Sequence, residues 1–169
     1  VLGRTLTVDG VPFRGAFIWE DGVMRELTIE NPQSRALESM EEMAPGSEEE
    51  LRRDLLELAN KIVATMMQPD YLALLRTTIA DTHRFPQLGG LFRATVPERA
   101  MRSFAVFIER SRERGVVGSG VDGETAARMF VGPLLTYAVL DGLLAEGPPR
   151  LPAQGMIEDI VDLYMKAIT

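Results

Sequence analysis

Residues 122–145 read DGETAARMFVGPLLTYAVLDGLLA, and this stretch decides the fold. Asp122 is of the residue type that caps a helix, its carboxylate accepting from the N–H groups of the first turn. From about Glu124 to Ala145 the pattern is helical. Between Met129 and Leu144 it is apolar on nearly every face, through Phe130, Val131, Leu134, Leu135, Tyr137, Val139, Leu140 and Leu143. A helix apolar all round is covered all round, and at about 22 residues it is too long for a small domain to enclose alone. Pro133 predicts a kink, because its ring removes one ladder bond and presses on the preceding turn. Gly147-Pro148-Pro149 and Pro152 form a stiff loop. The closing segment carries Met156, Ile157, Ile160, Val161, Tyr164 and Ile168 at amphipathic spacing. Two terminal apolar helices joined by a short loop can meet their own copy across a two-fold axis. The expected homodimer interface comprises Leu134, Leu140, Leu144, Ile157, Ile160 and Tyr164.

The rest of the chain is helical back to about residue 36. Ala44-Pro45-Gly46 interrupts any earlier helix. Ser47 with Glu50 makes a capping box, and Glu48 and Glu49 suit the positive end of a helix dipole. Leu51, Leu55, Leu58, Ile62 and Met66 form one stripe, ending near Gln68-Pro69. Tyr71, Leu74, Leu75, Thr78, Ile79 and Thr82 form the next, stopped by Phe85-Pro86. A short helix around 87–93 is weakened by Gly89-Gly90. Pro97 opens a segment bearing Met101, Phe104, Ala105 and Ile108. That segment closes on Arg110, Arg112 and Arg114 before Gly115, cations at the negative dipole end and a glycine cap.

Residues 1–35 read differently. Leu6 and Val8, Phe17 and Trp19, and Leu27 and Ile29 alternate with the period of half-buried strands, and Asp9-Gly10 and Asp21-Gly22 are tight-turn pairs. This predicts a three-stranded meander over 4–29 with Pro12 near the start of its second strand, and no helix-turn-helix. The expected organisation is a β-like appendage, 1–35, ahead of an all-α domain, 36–169.

Composition narrows the function. The chain has 169 residues, 46% hydrophobic and 25% charged, with no cysteine and one histidine, His83. A disulfide scaffold, a thiol nucleophile, a Cys-built zinc or iron–sulfur site and a multi-histidine metal site are all excluded. The net charge of −7 disfavours non-specific nucleic-acid binding by this chain. No run approaches the roughly 20 apolar residues of a membrane span, and the first residues lack a signal-peptide core, so a cytoplasmic location is expected.

No catalytic constellation stands out. Ser103, Ser111 and Ser119 lack a nucleophile-elbow context. The run 115–120 has small residues but no Lys-Ser/Thr ending and no preceding strand, which makes it a loop. His83 reads as the charged end of a helix, and Glu158 with Asp162 as one exposed face. No enzyme, metal or cofactor is expected. Met66, Met67, Met101, Met129, Phe104, Phe107, Phe130 and Tyr137 suit either a plain core or a mostly apolar pocket. Under the pocket reading, Thr78, Thr82, Met101, Phe104, Phe130 and Tyr137 wall an elongated cavity. For the threonines the plain alternative is a bond to the i−4 carbonyl of their own helix.

The run from Leu72 to Leu88, LALLRTTIADTHRFPQL, resembles a segment of the C-terminal regulatory domains of TetR-type transcriptional repressors, in which a helix ends in an Arg-Phe-Pro-x-Leu turn. Phe107-Ile108-Glu109-Arg110 followed by Gly115, the run from Asp122 to Phe130, and the run from Ile160 to Ile168 fit as well. The resemblance spans about 36–169. It implies an all-α domain that dimerises through its last two long helices and holds a small, often hydrophobic effector among the middle ones. That family reads operator DNA through an amino-terminal helix-turn-helix, a pattern residues 1–35 do not show. The expectation is an effector-sensing, dimerising regulator domain. The alternative is a stand-alone dimeric binding or carrier module that regulates nothing.

Overall fold

The computed structural model describes strand residues 6–8, 11–13, 17–20 and 23–26, and residues 40–169 other than 41, 85, 87–89, 91, 92, 95, 96 and 121. The chain divides into two compact units, Val1–Ser39 and Met40–Thr169.

In the first unit β1 (Leu6–Val8) pairs antiparallel with β2 (Val11–Phe13), Val8 opposite Val11. Likewise β3 (Phe17–Glu20) pairs with β4 (Val23–Glu26), Glu20 opposite Val23. Each hairpin leaves two residues between its strands, Asp9-Gly10 and Asp21-Gly22, the pairs whose turn chemistry predicts them. The expected three-stranded meander is corrected: among the described residues there are two two-stranded sheets, the second closing on Val23–Glu26, and the expected strand positions Leu27 and Ile29 lie outside the described residues. A two-residue turn obliges pairing to resume at Val23, so the pairing with β3 is complete by Glu26. Pro12 sits mid-strand opposite Thr7, which a two-stranded ribbon tolerates because every strand in it is an edge.

The second unit is helical: α1 (Glu48–Met66), α2 (Pro69–Thr82), α3 (Pro97–Glu113), α4 (Gly123–Tyr137), a π-helical segment (Ala138–Leu143) and α5 (Gln154–Ile168). The short helix expected around 87–93 falls largely outside the described residues. The starts of α1 and α4 have local causes. Ser47 Oγ accepts from Glu50 N–H at 3.2 Å, and Glu50 reaches back to Gly46 N–H at 2.7 Å, one residue before the expected partner. Asp122 accepts from the N–H groups of Glu124 and Thr125 at 3.0 and 3.3 Å and from the Thr125 hydroxyl, which holds its carboxyl below the usual range. The end of α3 is turned by Gly115 at φ 75°, where a Cβ would be strained.

The core forms around α4, which packs on α3, α1 and α5, while α2 meets the π segment and α1. Leu51, Leu55, Ala59 and Val63 line the inner face of α1, Phe104, Phe107 and Ile108 that of α3, and Ile157, Val161, Tyr164 and Ile168 that of α5. The α3–α4 crossing is close: a Cβ on Gly123 would lie 3.0 Å from the Ala105 carbonyl oxygen. Glu109 helps to hold it, accepting from Gly123 N–H at 3.2 Å and pairing with Arg112 at 2.6 Å. Ser111, wholly buried, donates to the Phe107 carbonyl at 2.8 Å.

The stretch that decides the fold departs from expectation in one way and follows it in another. The irregularity lies at 138–143 as a π turn after Pro133 rather than as a kink alone, with Leu144 N–H donating to Val139 at 2.9 Å. As its length and all-round apolarity predict, the helix is not enclosed by its own chain: Ala126, Phe130, Leu134, Ala138 and Gly142 are buried, whereas Met129, Leu135, Leu140 and Leu144 are exposed. One helix in a bundle of this size has neighbours on only part of its circumference.

Candidate functional site

The six candidate pocket residues fall into separate settings. Phe104 on α3 and Phe130 on α4 stack at 4.9 Å between ring centroids, and Tyr164 of α5 stands edge-on to Phe130 at 5.1 Å. All three rings are buried, and the Tyr164 hydroxyl donates to the Ala126 carbonyl at 3.0 Å. Burial pushes that phenol's pKa up. This arrangement is an aromatic cluster clamping three helices.

Thr78 and Thr82 lie together on α2, half-buried, and the Thr82 hydroxyl donates to the Thr78 carbonyl at 2.5 Å. Thr77, exposed, bonds back to Ala73 in the same way at 3.0 Å. The hydroxyl proton of Thr82 is therefore engaged within its own helix, while its lone pairs and the Thr78 side chain keep a half-buried outlook. Tyr71 and Leu75 share that half-buried condition, and burial raises the Tyr71 pKa. Leu74 and Ile79, which the stripe would have turned inward, are 52% and 57% exposed; the fully buried residue of α2 is Leu72. Met101 is half-buried on α3. Tyr137 is half-buried on α4, its phenol 3.8 Å from the Met156 sulfur.

The candidate interface residues also divide. Leu134, Ile157 and Tyr164 are enclosed by their own chain at 0%, 4% and 5% exposure, so they have almost no surface to offer a partner. Leu140 and Leu144 stand well out, and Ile160 is half-buried. Two residues that the sequence reading did not assign to the interface join them, Met156 and Leu163 on α5. The exposed set Met129, Pro133, Leu140 and Leu144 follows one side of α4 and the π segment. Met156, Ile160 and Leu163 follow one side of α5, and the Tyr137–Met156 contact brings the two helices side by side.

Two polar ties escaped the sequence reading because they join residues far apart in the chain. Asp162 is not merely part of an exposed acidic face: Arg52 Nε on α1 donates to it at 2.6 Å and lowers its pKa. Arg76 on α2 forks onto the end of the π segment, Nη2 donating to the Gly142 and Leu143 carbonyls at 2.9 Å each and Nε to Leu143 at 3.1 Å. His83 sits exposed at the C-terminal end of α2. Among the described residues no cluster of three or more His, Asp or Glu side chains is placed to hold a metal, and no helix is long and apolar enough to cross a membrane.

A helical unit with a buried aromatic clamp and two adjoining apolar outer faces agrees with what comparison of the sequence finds. Residues 46–151 match the family described as "Tetracyclin repressor-like, C-terminal domain". The chain belongs to that family. Among solved structures it is similar to a chain assigned to the TetR-family transcriptional regulators from Mesorhizobium loti MAFF303099, with 25% identity and a TM-score of 0.63. The similarity covers 80% of this chain and 63% of that one, so the chain spans less than two thirds of its structural relative. No curated protein matches. The family match agrees with the all-α architecture of the second unit.

Proposed function

We propose that this chain serves a TetR-type regulator as its dimerising, effector-sensing part. The observation that carries the reading is the run of large exposed apolar side chains on two adjoining helices, Leu140 and Leu144 beside Met156 and Leu163, at 58%, 65%, 46% and 65% exposure. Large apolar side chains gathered on one face, rather than scattered singly, are typical of an interaction surface. The same strip on a second copy would meet it across a two-fold axis as a four-helix contact.

The effector would be small and mostly apolar. Support comes from α2, whose half-buried Tyr71, Leu75, Thr78 and Thr82 offer methyl and ring surface with a few hydroxyls to orient a ligand. Operator DNA would be contacted by a helix-turn-helix elsewhere in the regulator, since the described residues of the first unit are strands.

Sedimentation of the full chain at micromolar concentration tests the reading, with twice the mass of 18.7 kDa as the expected result. Leu140→Arg should give a folded monomer, because the added charge would be desolvated without a partner. A wild-type chain that stays monomeric would refute the dimer.

A further inference from the structure

The π-helical segment is an unusual element held by unusual contacts. Its signature bond, Leu144 N–H to the Val139 carbonyl, spans five residues instead of four. A π turn is one residue too many for the α register, rare on its own and frequent at functional sites. The buried series Ala126, Phe130, Leu134, Ala138 and Gly142 shows what it does here. Positions four apart drift by roughly 40° per step along an α-helix of 3.6 residues per turn. The wider π turn takes back part of that drift and returns Gly142 to the core while Leu140 and Leu144 stay outside.

Two contacts from the region where α1 ends and α2 runs hold the segment in this register, and a third comes from the loop that follows it. The Arg76 fork satisfies the terminal carbonyls of Gly142 and Leu143, groups that a helix end leaves without partners. Gly142 lies under Leu72 and Met67 so closely that a Cβ would be 3.1 Å from both Leu72 δ carbons and from the Met67 sulfur. Leu72 is wholly buried there. The loop adds Arg150 N–H, donating to the Asp141 carbonyl at 3.1 Å.

We propose that Arg76 is a clamp that selects the π register of residues 138–143, so that a shift of α2 changes the outer face of the last helices. Released from the clamp, the segment relaxes to α register, with Leu144 N–H on the Leu140 carbonyl. Everything after it then turns by one residue's worth of rotation, about 100°. Leu144 leaves the strip it shares with Met156 and Leu163. Because Thr78 and Thr82 sit on the same helix as Arg76, occupancy beside α2 and the shape of the outer face are two ends of one rigid element. The last step rests on the dimer and effector reading above, whereas the clamp itself does not.

Through-hydrogen-bond NMR couplings in the perdeuterated full chain test the clamp without any ligand. In the parent chain the Leu144 amide should couple to the Val139 carbonyl. In Arg76→Met at least half of the signal should move to the Leu140 carbonyl, with Arg76→Lys intermediate because a point donor cannot reproduce the fork. An Arg76→Met chain that keeps Val139 as the sole partner overturns the proposal. Deletion of the exposed Leu140 removes the extra residue and should give a folded chain with four-residue spacing throughout, indifferent to substitution at 76. If that deletion does not fold, the α register is inaccessible and the proposal fails. Arg76→Met should also weaken self-association at least tenfold by sedimentation. If the parent is monomeric, the dimer reading fails while the couplings still decide the clamp.

Discussion

Truncating Phe130 to alanine separates a packed core from a ligand cavity. Phe130 is fully buried, stacked on Phe104 at 4.9 Å and edge-on to Tyr164 at 5.1 Å. Relative to alanine the ring removes roughly 150 Å² of apolar surface from water, which at about 25 cal/mol per Å² amounts to about 4 kcal/mol. Lost ring–ring geometry adds up to about 1 kcal/mol, and compactness of the unfolded chain subtracts a similar amount. The expected cost is about 4 kcal/mol, close to a third or more of the stability of an ordinary domain. For a chain of this size that corresponds to a fall in Tm of about 10 °C. Urea and thermal unfolding followed by circular dichroism give the measurement, with all variants at one protein concentration because self-association shifts apparent stability. Phe104→Ala and the double variant complete a cycle whose coupling should be about 1 kcal/mol. If Phe130→Ala unfolds cooperatively at a cost under about 1 kcal/mol, the rings wall an open cavity and the assignment of this cluster to the core is wrong.

Tyr164→Phe deletes a buried hydrogen bond to Ala126 and should cost about 1 kcal/mol in neutral solution, read from denaturant midpoints. The folded phenol titrates above its unfolded value near 10, so stability is complete below pH 10 and is lost as pH rises toward the folded value; Tyr164→Phe should flatten that alkaline loss, and an unchanged profile would contradict it. Asp162, held down by Arg52, works in the opposite sense: its contribution is present above the ordinary carboxylate range and vanishes as pH falls through its depressed folded value. Asp162→Asn should abolish that acid-side component and its salt sensitivity, which pH-resolved unfolding would detect. Thermal-shift screening of apolar compounds should find binders whose affinity changes about fivefold or more, or about 1 kcal/mol, in Thr78→Val while the unliganded Tm barely moves. A panel without a single binder would remove the effector from the reading.

Local chemistry made much of this protein legible in advance. Ser47, Asp122 and Gly115 mark helix ends through hydrogen bonds or backbone angles that involve only their neighbours. The Asp-Gly pairs mark both hairpins for the same reason. Apolar spacing located α1, α3 and α5 because each buries one stripe, although in α1 that stripe runs through Ala59 and Val63 while the expected Leu58, Ile62 and Met66 are half-buried. It misjudged α2, where Leu72 rather than Leu74 and Ile79 is buried, since a short helix with mixed faces has a direction set by its neighbour.

The sequence by itself determined an all-α domain with a strand-forming first segment and an apolar pair of closing helices, because periodicity and turn chemistry act over a few residues. Only the tertiary structure decided which apolar residues remain outside. Leu134 and Leu140 are equally apolar and six positions apart in one helix, yet one is enclosed and the other 58% exposed. Only the packed chain showed the π turn that separates them from Gly142 and Leu144, and the reach of Arg76 across 66 residues to hold it. Such a contact has no signature in local spacing: its partners are backbone carbonyls, which every residue carries, and the fold alone brings that one guanidinium to them.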